Sequence, residues 1–219
     1  MRISHKHGFL FLSLPRAASL TVRKLLDPYS DIKSKKITDT HKSFPFWHHT
    51  KASEAKKIFK KKKWEWNSYK KFCLVRNPFD RVVSAYKKRW EKNYGWHSTG
   101  RFSKDMKSLL RDILLGRLGF EEFVLNNDPK TGYTISIEEF AYDKSGDKIV
   151  DDILIFENLP SNLAEYLERN IGLRVSKDKI KHYHKSNRTK NYKEWYNIRT
   201  KKTIEKQYRY ELEKFGYEF

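Results

Sequence analysis

The first stretch with chemical potential joins an apolar run to a helix. Residues 8–14 are almost wholly apolar and predict a buried strand, and residues 18–26 predict a helix. Between and just after them stand Arg16, Ser19 and Thr21. A helix that starts at a strand end presents free backbone N–H groups to anions. We therefore predict an anion site here, with a plain turn and a capping serine as the alternative.

The second stretch repeats this arrangement further along the chain. Residues 71–75 predict a strand that ends at Arg76, and Asn77 with Pro78 is typical of a helix start. Ser84 falls roughly 140° around that helix from Phe79, away from the apolar stripe. Arg76 and Ser84 can therefore hold one phosphate together. The alternative is that Arg76 pairs with Asp80 and that Ser84 merely packs.

Together these stretches resemble the sulfotransferases that use 3′-phosphoadenosine-5′-phosphosulfate (PAPS). The first is similar to their 5′-phosphosulfate loop, P-K-x-[GA]-[ST]-[ST], with Arg16 in place of the lysine and Leu20 in place of a hydroxyl. The second matches their 3′-phosphate motif, R-[DN]-P-x-x-R-x-x-S-x-Y, in full. Residues 152–159 are similar to the family's strand that leads into a helix, and the tail from Asn187 to Phe219 is similar to the C-terminal stretch of its carbohydrate-type branch.

The resemblance implies a fold, a reaction and a set of site residues. The fold is α/β, with a central parallel sheet like that of P-loop kinases and helices on both faces. The reaction is in-line transfer of a sulfuryl group to a hydroxyl of an acceptor, which we expect to be a carbohydrate or another hydroxylated small molecule. PAPS is the donor, and no metal is expected. The implied residues for the 5′-phosphosulfate are Arg16, Ala17, Ala18, Ser19 and Thr21. Those for the 3′-phosphate and adenine are Arg76, Ser84, Asn187 and Arg188.

Two residues are implied for catalysis. Arg16 would stabilise the charge that develops on the bridging oxygen. Histidine is the ordinary general base near neutral pH, and the candidates are His41, His48, His49, His97, His182 and His184. The segment that begins Trp47-His-His-Thr-Lys resembles the family stretch in which a histidine precedes a helix, which favours His49 over its neighbour His48. The alternative is a pair of loop histidines that face solvent.

Strand-like and helix-like segments alternate along the chain and predict one α/β domain over residues 1–219. Further strands are predicted at 71–75 and 150–156, and further helices at 53–63, 77–90, 105–115, 119–126, 161–170 and within 192–215. Residues 27–46 look irregular, and residues 128–150 look like turns around short strands. We assign residues 94–150 to acceptor recognition.

Composition limits the remaining classes of function and the expected location of the protein. The 219 residues include 47 Lys and Arg against 27 Asp and Glu, a formal net charge of +20 that attracts anions. The lone Cys73 excludes an internal disulfide and fits a reducing compartment. Because the apolar run at 8–14 is too short for a signal or a membrane span, we expect a soluble, cytoplasmic protein. The solvated lysine run at 56–63 could also guide an anionic glycan.

Three other functions stay open at this point. A basic nucleic-acid-binding protein is compatible with the charge, but no helix-turn-helix, zinc-finger or RNP pattern is present, so no specific nucleic acid is expected. A phosphotransferase is disfavoured by the missing glycine-rich GK[ST] loop. A catalytically degenerate nucleotide binder is allowed by the departures at Arg16 and Leu20.

Overall fold

A computed structural model of the chain describes residues 1–36, 40, 44–94, 119–130, 134–180 and 191–219, with the side chains of 89–94 excepted. These residues form two compact units. The first unit comprises Met1–Arg76 and Ile135–Lys185, and the second comprises Asn77–Thr134 and Ser186–Phe219. The single domain expected over residues 1–219 stays a prediction.

The first unit is built on a five-stranded sheet. Its strands are β1 Arg2–Ser4, β2 Phe9–Phe11, β3 Ile32–Lys33, β4 Lys70–Val75 and β5 Asp152–Ile155, in the order β3-β1-β2-β4-β5. The pairs β2–β4 and β4–β5 are parallel, whereas β1 is antiparallel to both of its neighbours. The predicted α/β class is confirmed, with an antiparallel edge added to the parallel centre.

The helices follow the predicted order closely. Those of the first unit are α1 Ser19–Leu26, α2 Ala52–Lys61, α5 Ile137–Ala141 and α6 Ser161–Ile171, and those of the second are α3 Pro78–Tyr94, α4 Phe120–Leu125, α7 Ile198–Gln207 and α8 Arg209–Phe215. The helix predicted at 105–115 lies outside the described residues, as does much of the 94–150 segment. No described helix is both long and apolar enough to cross a bilayer.

Two predictions of local structure were incomplete. Residues 27–46 are not wholly irregular, because Ile32 and Lys33 form the edge strand β3, which is too short to leave a periodic pattern. Within 128–150, α5 forms where only turns and short strands were predicted, although Tyr142 and Lys148 do pair as an isolated antiparallel bridge across a turn. The hydroxyl of Ser136 accepts a hydrogen bond from the backbone N–H of Glu139 at 3.2 Å, so an N-cap signal starts this helix.

The second unit has its own core around α3. Phe79, Val82 and Val83 are buried there against α4 and α7. Asn77 accepts a hydrogen bond from the backbone N–H of Phe79 at 3.0 Å, which confirms the predicted cap. Pro78 occupies the first helical position, where its missing N–H costs nothing.

Candidate functional site

The loop after β2 is a tight turn without glycine. The Leu12 N–H donates to the Phe72 carbonyl at 2.9 Å, so pairing with β4 continues just past β2. Arg16 and Ala18 then adopt left-handed backbone conformations, with φ of 63° and 51°. Residues with a side chain pay roughly 1–2 kcal/mol for that conformation. Turns of this kind direct backbone N–H groups into a concavity that suits anions.

The N-terminus of α1 follows directly. Ala18 is its N-cap and offers no side-chain cap. The hydroxyl of Ser19 is buried and donates instead to the Leu14 carbonyl, so the expected alternative of a capping serine is not what the loop contains. Thr21 is buried one turn into the helix, and Ala17 is buried within the loop. The helix has eight residues, and the partial positive charge at its N-terminus faces the turn.

Arg76 ties the end of β4 to this loop. Its Nη1 donates to the backbone carbonyl of Arg16 at 3.0 Å. The guanidinium also lies 4.4 Å from the centre of the Phe156 ring, and the residue is only 9% exposed. The structure therefore brings together Arg16 and Arg76, which belong to two separate sequence motifs.

The two histidines before α2 are held by different partners. The Nδ1 atom of His49 lies 2.7 Å from the carbonyl oxygen of Ser13, the residue before Leu14 and the loop. Since a carbonyl only accepts, Nδ1 carries the proton, and Nε2 carries the lone pair of the neutral ring. The Nδ1 atom of His48 instead contacts the Ser34 hydroxyl at 3.0 Å. His49 is thus the histidine that contacts the strand end leading into the loop.

Both rings are neutral at pH 7. Desolvation is the main cause that lowers the pKa of His49 to about 3, and the bond to Ser13 opposes this only in part. Desolvation, followed by the charge of Arg23, lowers the pKa of His48 to about 4. Unperturbed histidine titrates near 6.5, so neither ring competes for a proton before an anion arrives nearby.

Arg23 is a site candidate that the sequence analysis missed. It lies on α1, and its Nε donates to the Ser19 carbonyl at 3.1 Å. The residue is only 8% exposed, and its Nη1 has no hydrogen-bond partner among the residues that the structure describes. Burial, with the charge of Arg2 second, lowers its pKa to about 10, so it remains a cation at neutral pH. Its spacing of four residues from Ser19 was the available signal, since that spacing puts both on one helix face.

Of the remaining predicted residues, one lies in the second unit and the others lie outside the described residues. Ser84 is buried on α3 in the second unit. Asn187 and Arg188 lie outside the described residues, together with the candidate bases His41, His97, His182 and His184. Among the residues that the structure describes, no group of three or more potential ligands could hold a metal ion. The expectation that no metal is needed remains a prediction.

Comparison with known families assigns the chain to one of them. Residues 1–218 match the model of the sulfotransferase family, essentially the whole chain. The chain therefore belongs to the sulfotransferase family, and sulfotransfer in general is the activity that this membership supports. No curated protein and no solved structure matches the chain significantly.

Proposed function

We propose that this protein is a PAPS-dependent sulfotransferase that acts on a hydroxyl of a carbohydrate acceptor. One observation carries the proposal: His49 and Arg76 hydrogen-bond to backbone carbonyls only three residues apart, at Ser13 and Arg16. A candidate base and a candidate phosphate ligand thus contact the same short segment. The family to which the chain belongs supports the type of reaction.

The residues at this loop fit a doubly phosphorylated nucleotide. Arg16, Arg23 and Arg76 contribute three guanidinium groups, and the Nη1 of Arg23 is a buried donor with no partner in the described part of the chain. Alanines at 17 and 18 keep side-chain bulk away from the turn. The N-terminus of α1 adds N–H groups that favour negative charge. In this proposal Arg16, Ala17, Ala18, Ser19 and Thr21 hold the 5′-phosphosulfate. Arg76, Ser84, Asn187 and Arg188 hold the 3′-phosphate and adenine.

PAPS supplies an activated sulfuryl group, whose bond to the phosphate oxygen breaks as a new S–O bond to the acceptor forms. Arg16 and the N–H groups at the start of α1 stabilise the negative charge left on that phosphate oxygen. Nε2 of His49 takes the proton from the acceptor hydroxyl. The Ser13 carbonyl holds the other ring nitrogen, and so it fixes both the tautomer and the direction of the ring.

The low pKa of His49 is compatible with this role. A neutral ring is ready to accept a proton at pH 7, although a pKa of about 3 makes it a weak base. Anionic charge brought to the loop favours the imidazolium form and raises that pKa. We therefore expect the ring to become a better base when the nucleotide is bound.

The test is calorimetric titration with 3′-phosphoadenosine-5′-phosphate, the expected product, against AMP as the control. We expect tight binding of the first and weak binding of the second, because only the first carries the 3′-phosphate that Arg76 is proposed to bind. Equal affinity for the two nucleotides would remove the donor assignment. Transfer of labelled sulfate from PAPS to a panel of neutral and acidic sugars then identifies the acceptor. The cytoplasmic location expected above also stays a prediction.

A further inference from the structure

A groove of about 590 Å³ lies on the first unit, beside α2. Its lining includes Lys56, Lys57, Lys60 and Lys63, together with the tryptophans Trp64 and Trp66. None of the residues proposed above for the nucleotide or for catalysis lines it. The groove therefore needs an explanation of its own.

The lysines occupy the outer face of an amphipathic helix. Ala52, Ala55 and Phe59 are the buried positions of α2, whereas Lys56, Lys57 and Lys60 are exposed between them. A spacing of one and four residues puts these three charges within one turn, about 6 Å along the helix axis. Charges so close repel one another unless an anion lies between them.

Among the described residues, no carboxylate lies within ion-pair distance of Lys56, Lys57, Lys60 or Lys63. Other lysines of the same unit are paired, with Lys51 on Glu139, Lys70 on Asp152 and Lys71 on Asp151. The lysines of α2, with Lys63, thus form a local excess of positive charge at the groove.

The two acids at the groove are engaged elsewhere. The Asp143 carboxylate accepts from the backbone N–H groups of Ser145 and Asp147, at 2.9 and 3.0 Å. Glu65 accepts from the N–H of Asn67 at the start of a short helical turn. Both carboxylates shape the backbone at the rim, so they leave the lysines for an external anion.

The tryptophans distinguish between classes of polyanion. Trp64 stacks on Phe46 with the planes 10° apart, and the amino group of Lys62 lies 5.3 Å from the Trp64 ring. Trp66 is only 9% exposed and meets Phe59 edge-on. Single-stranded nucleic acids gain much of their affinity by stacking bases on open aromatic faces. Trp66 is buried and Trp64 is half-buried against Phe46, so the groove offers mainly positive charge and little open aromatic face for stacking.

We propose that this groove binds a linear anionic polysaccharide, carboxylated or sulfated, through Lys56, Lys57, Lys60 and Lys63. Basic clusters of this density are typical of heparin-binding and nucleic-acid-binding patches, and the covered aromatic faces favour the polysaccharide. A groove of this volume accommodates a few sugar rings of one chain. Binding here requires no nucleotide, so it is independent of the function proposed above.

Lys63 gives the sharpest single test. It has a left-handed backbone with φ of 57°, just after the end of α2, where glycine is the favoured residue. Lys63→Gly therefore removes one groove charge while it relieves backbone strain. We expect an unfolding midpoint at least as high as that of the wild type, together with weaker polysaccharide binding.

The main experiment measures binding of a size-defined heparin oligosaccharide to the nucleotide-free protein by fluorescence titration at several salt concentrations. We expect Lys56, Lys57 and Lys60 changed together to Gln to lose at least about tenfold in affinity, and the affinity to depend less steeply on salt. The matched control changes Lys202, Lys206 and Lys214 to Gln. It removes the same charge from exposed helix positions in the second unit, and its affinity should change less than threefold.

Two results would overturn the proposal. Equal losses in the groove variant and the control would mean that net charge alone binds the polysaccharide. A single-stranded oligonucleotide of equal charge that binds the groove more tightly than heparin would assign the site to nucleic acid. Titration of the groove variant with 3′-phosphoadenosine-5′-phosphate separates the two proposals, because nucleotide affinity should be unchanged whether or not the groove binds polysaccharide.

Discussion

The guanidinium of Arg76 donates to the backbone carbonyl of Arg16 at 3.0 Å, although 60 residues separate the two. Arg76 ends β4, and Arg16 lies in the loop after β2, which is parallel to β4. Parallel neighbours end at the same edge of a sheet, so this contact follows from the topology. It also gives Arg76 two tasks, because the same side chain supports the loop and presents positive charge beside it.

Replacing Arg76 should separate those tasks. Arg76→Ala removes both the charge and the support of the loop, and we expect affinity for 3′-phosphoadenosine-5′-phosphate to fall about 10–100-fold, the value of a charged hydrogen bond. Arg76→Lys keeps the charge but loses the planar fork, so its affinity should fall between those of Arg76→Ala and the wild type. Calorimetry with that nucleotide and AMP measures both.

The control for these variants is AMP itself, which lacks the 3′-phosphate. Affinity for AMP should change little in Arg76→Lys. If both nucleotides lose affinity equally in both variants, Arg76 supports the loop and does not contact the 3′-phosphate. Melting temperatures of the variants show whether the loss of the contact with Phe156 also destabilises the first unit.

The left-handed residues of the loop predict an unusual stability effect. Ala18→Gly relieves the cost of φ 51° but frees the unfolded backbone, so we expect a net gain of about 0.5–1 kcal/mol in unfolding free energy. Ala17→Gly is the matched control. Ala17 is buried with an ordinary φ, and its replacement should cost about 1 kcal/mol. Urea denaturation distinguishes these opposite signs, and a loss in both variants would contradict the strain argument.

Much of the scaffold around the site was predictable because its elements carry strong local signals. Asn77 with Pro78 predicts the start of α3, and the apolar runs predict β2, β4 and β5 to within a few residues of their observed bounds. The edge strand β3 and the short helix α5 have two and five residues, too few for periodicity to identify. Elements of that length depend on tertiary contacts for their stability, and a residue pattern along the chain carries no information about those contacts.

The site itself was predictable in its residue types but not in its contacts. The motifs indicated Arg16, Arg76 and His49 as members. They gave no hint that Arg76 binds the carbonyl of Arg16, since a carbonyl partner leaves no trace in the sequence. Arg23 was missed for a similar reason. An exposed arginine and a buried arginine look the same in a single sequence, and only the packing of α1 shows that Arg23 is buried.

His49 can be tested as the general base by substitution. We expect His49→Ala to lower turnover about 10²–10⁴-fold, the usual contribution of a positioned base, while affinity for 3′-phosphoadenosine-5′-phosphate stays within threefold. His48→Ala is the matched control, because that neighbouring ring contacts Ser34 and not the Ser13 carbonyl at the loop. Initial rates of labelled sulfate transfer measure the effect. A larger loss in His48→Ala would transfer the role to His48.

The pH dependence of activity offers a second view of the same ring. Since the pKa of His49 lies near 3 in the free protein, kcat/KM should show no acid limb near pH 6.5. The corresponding limb in kcat should lie at higher pH than the limb in kcat/KM, because anionic substrate raises the pKa of the ring. Rates from pH 5 to pH 8 at low and at saturating substrate test both expectations, and an acid limb that appears in kcat/KM but not in kcat over this interval would contradict them.

Stability should also depend on pH through the two half-buried histidines, His48 and His49. Their pKa values of about 4 and 3 are lower than the unfolded value near 6.5. The unfolded chain therefore binds more protons than the folded chain below pH 6.5. The contribution of the two rings to the unfolding free energy is complete above that pH and decreases as the pH is lowered towards 4. Between pH 7 and pH 5, each ring should contribute a loss on the order of 1–2 kcal/mol, after allowance for partial solvent access.

His49→Gln keeps a donor near Ser13 but cannot titrate, so its loss of unfolding free energy over this interval should be smaller than that of the wild type by this amount. Urea denaturation of both proteins at the two pH values measures the difference, and an equal loss in both would mean that His49 is accessible to protons in the folded state.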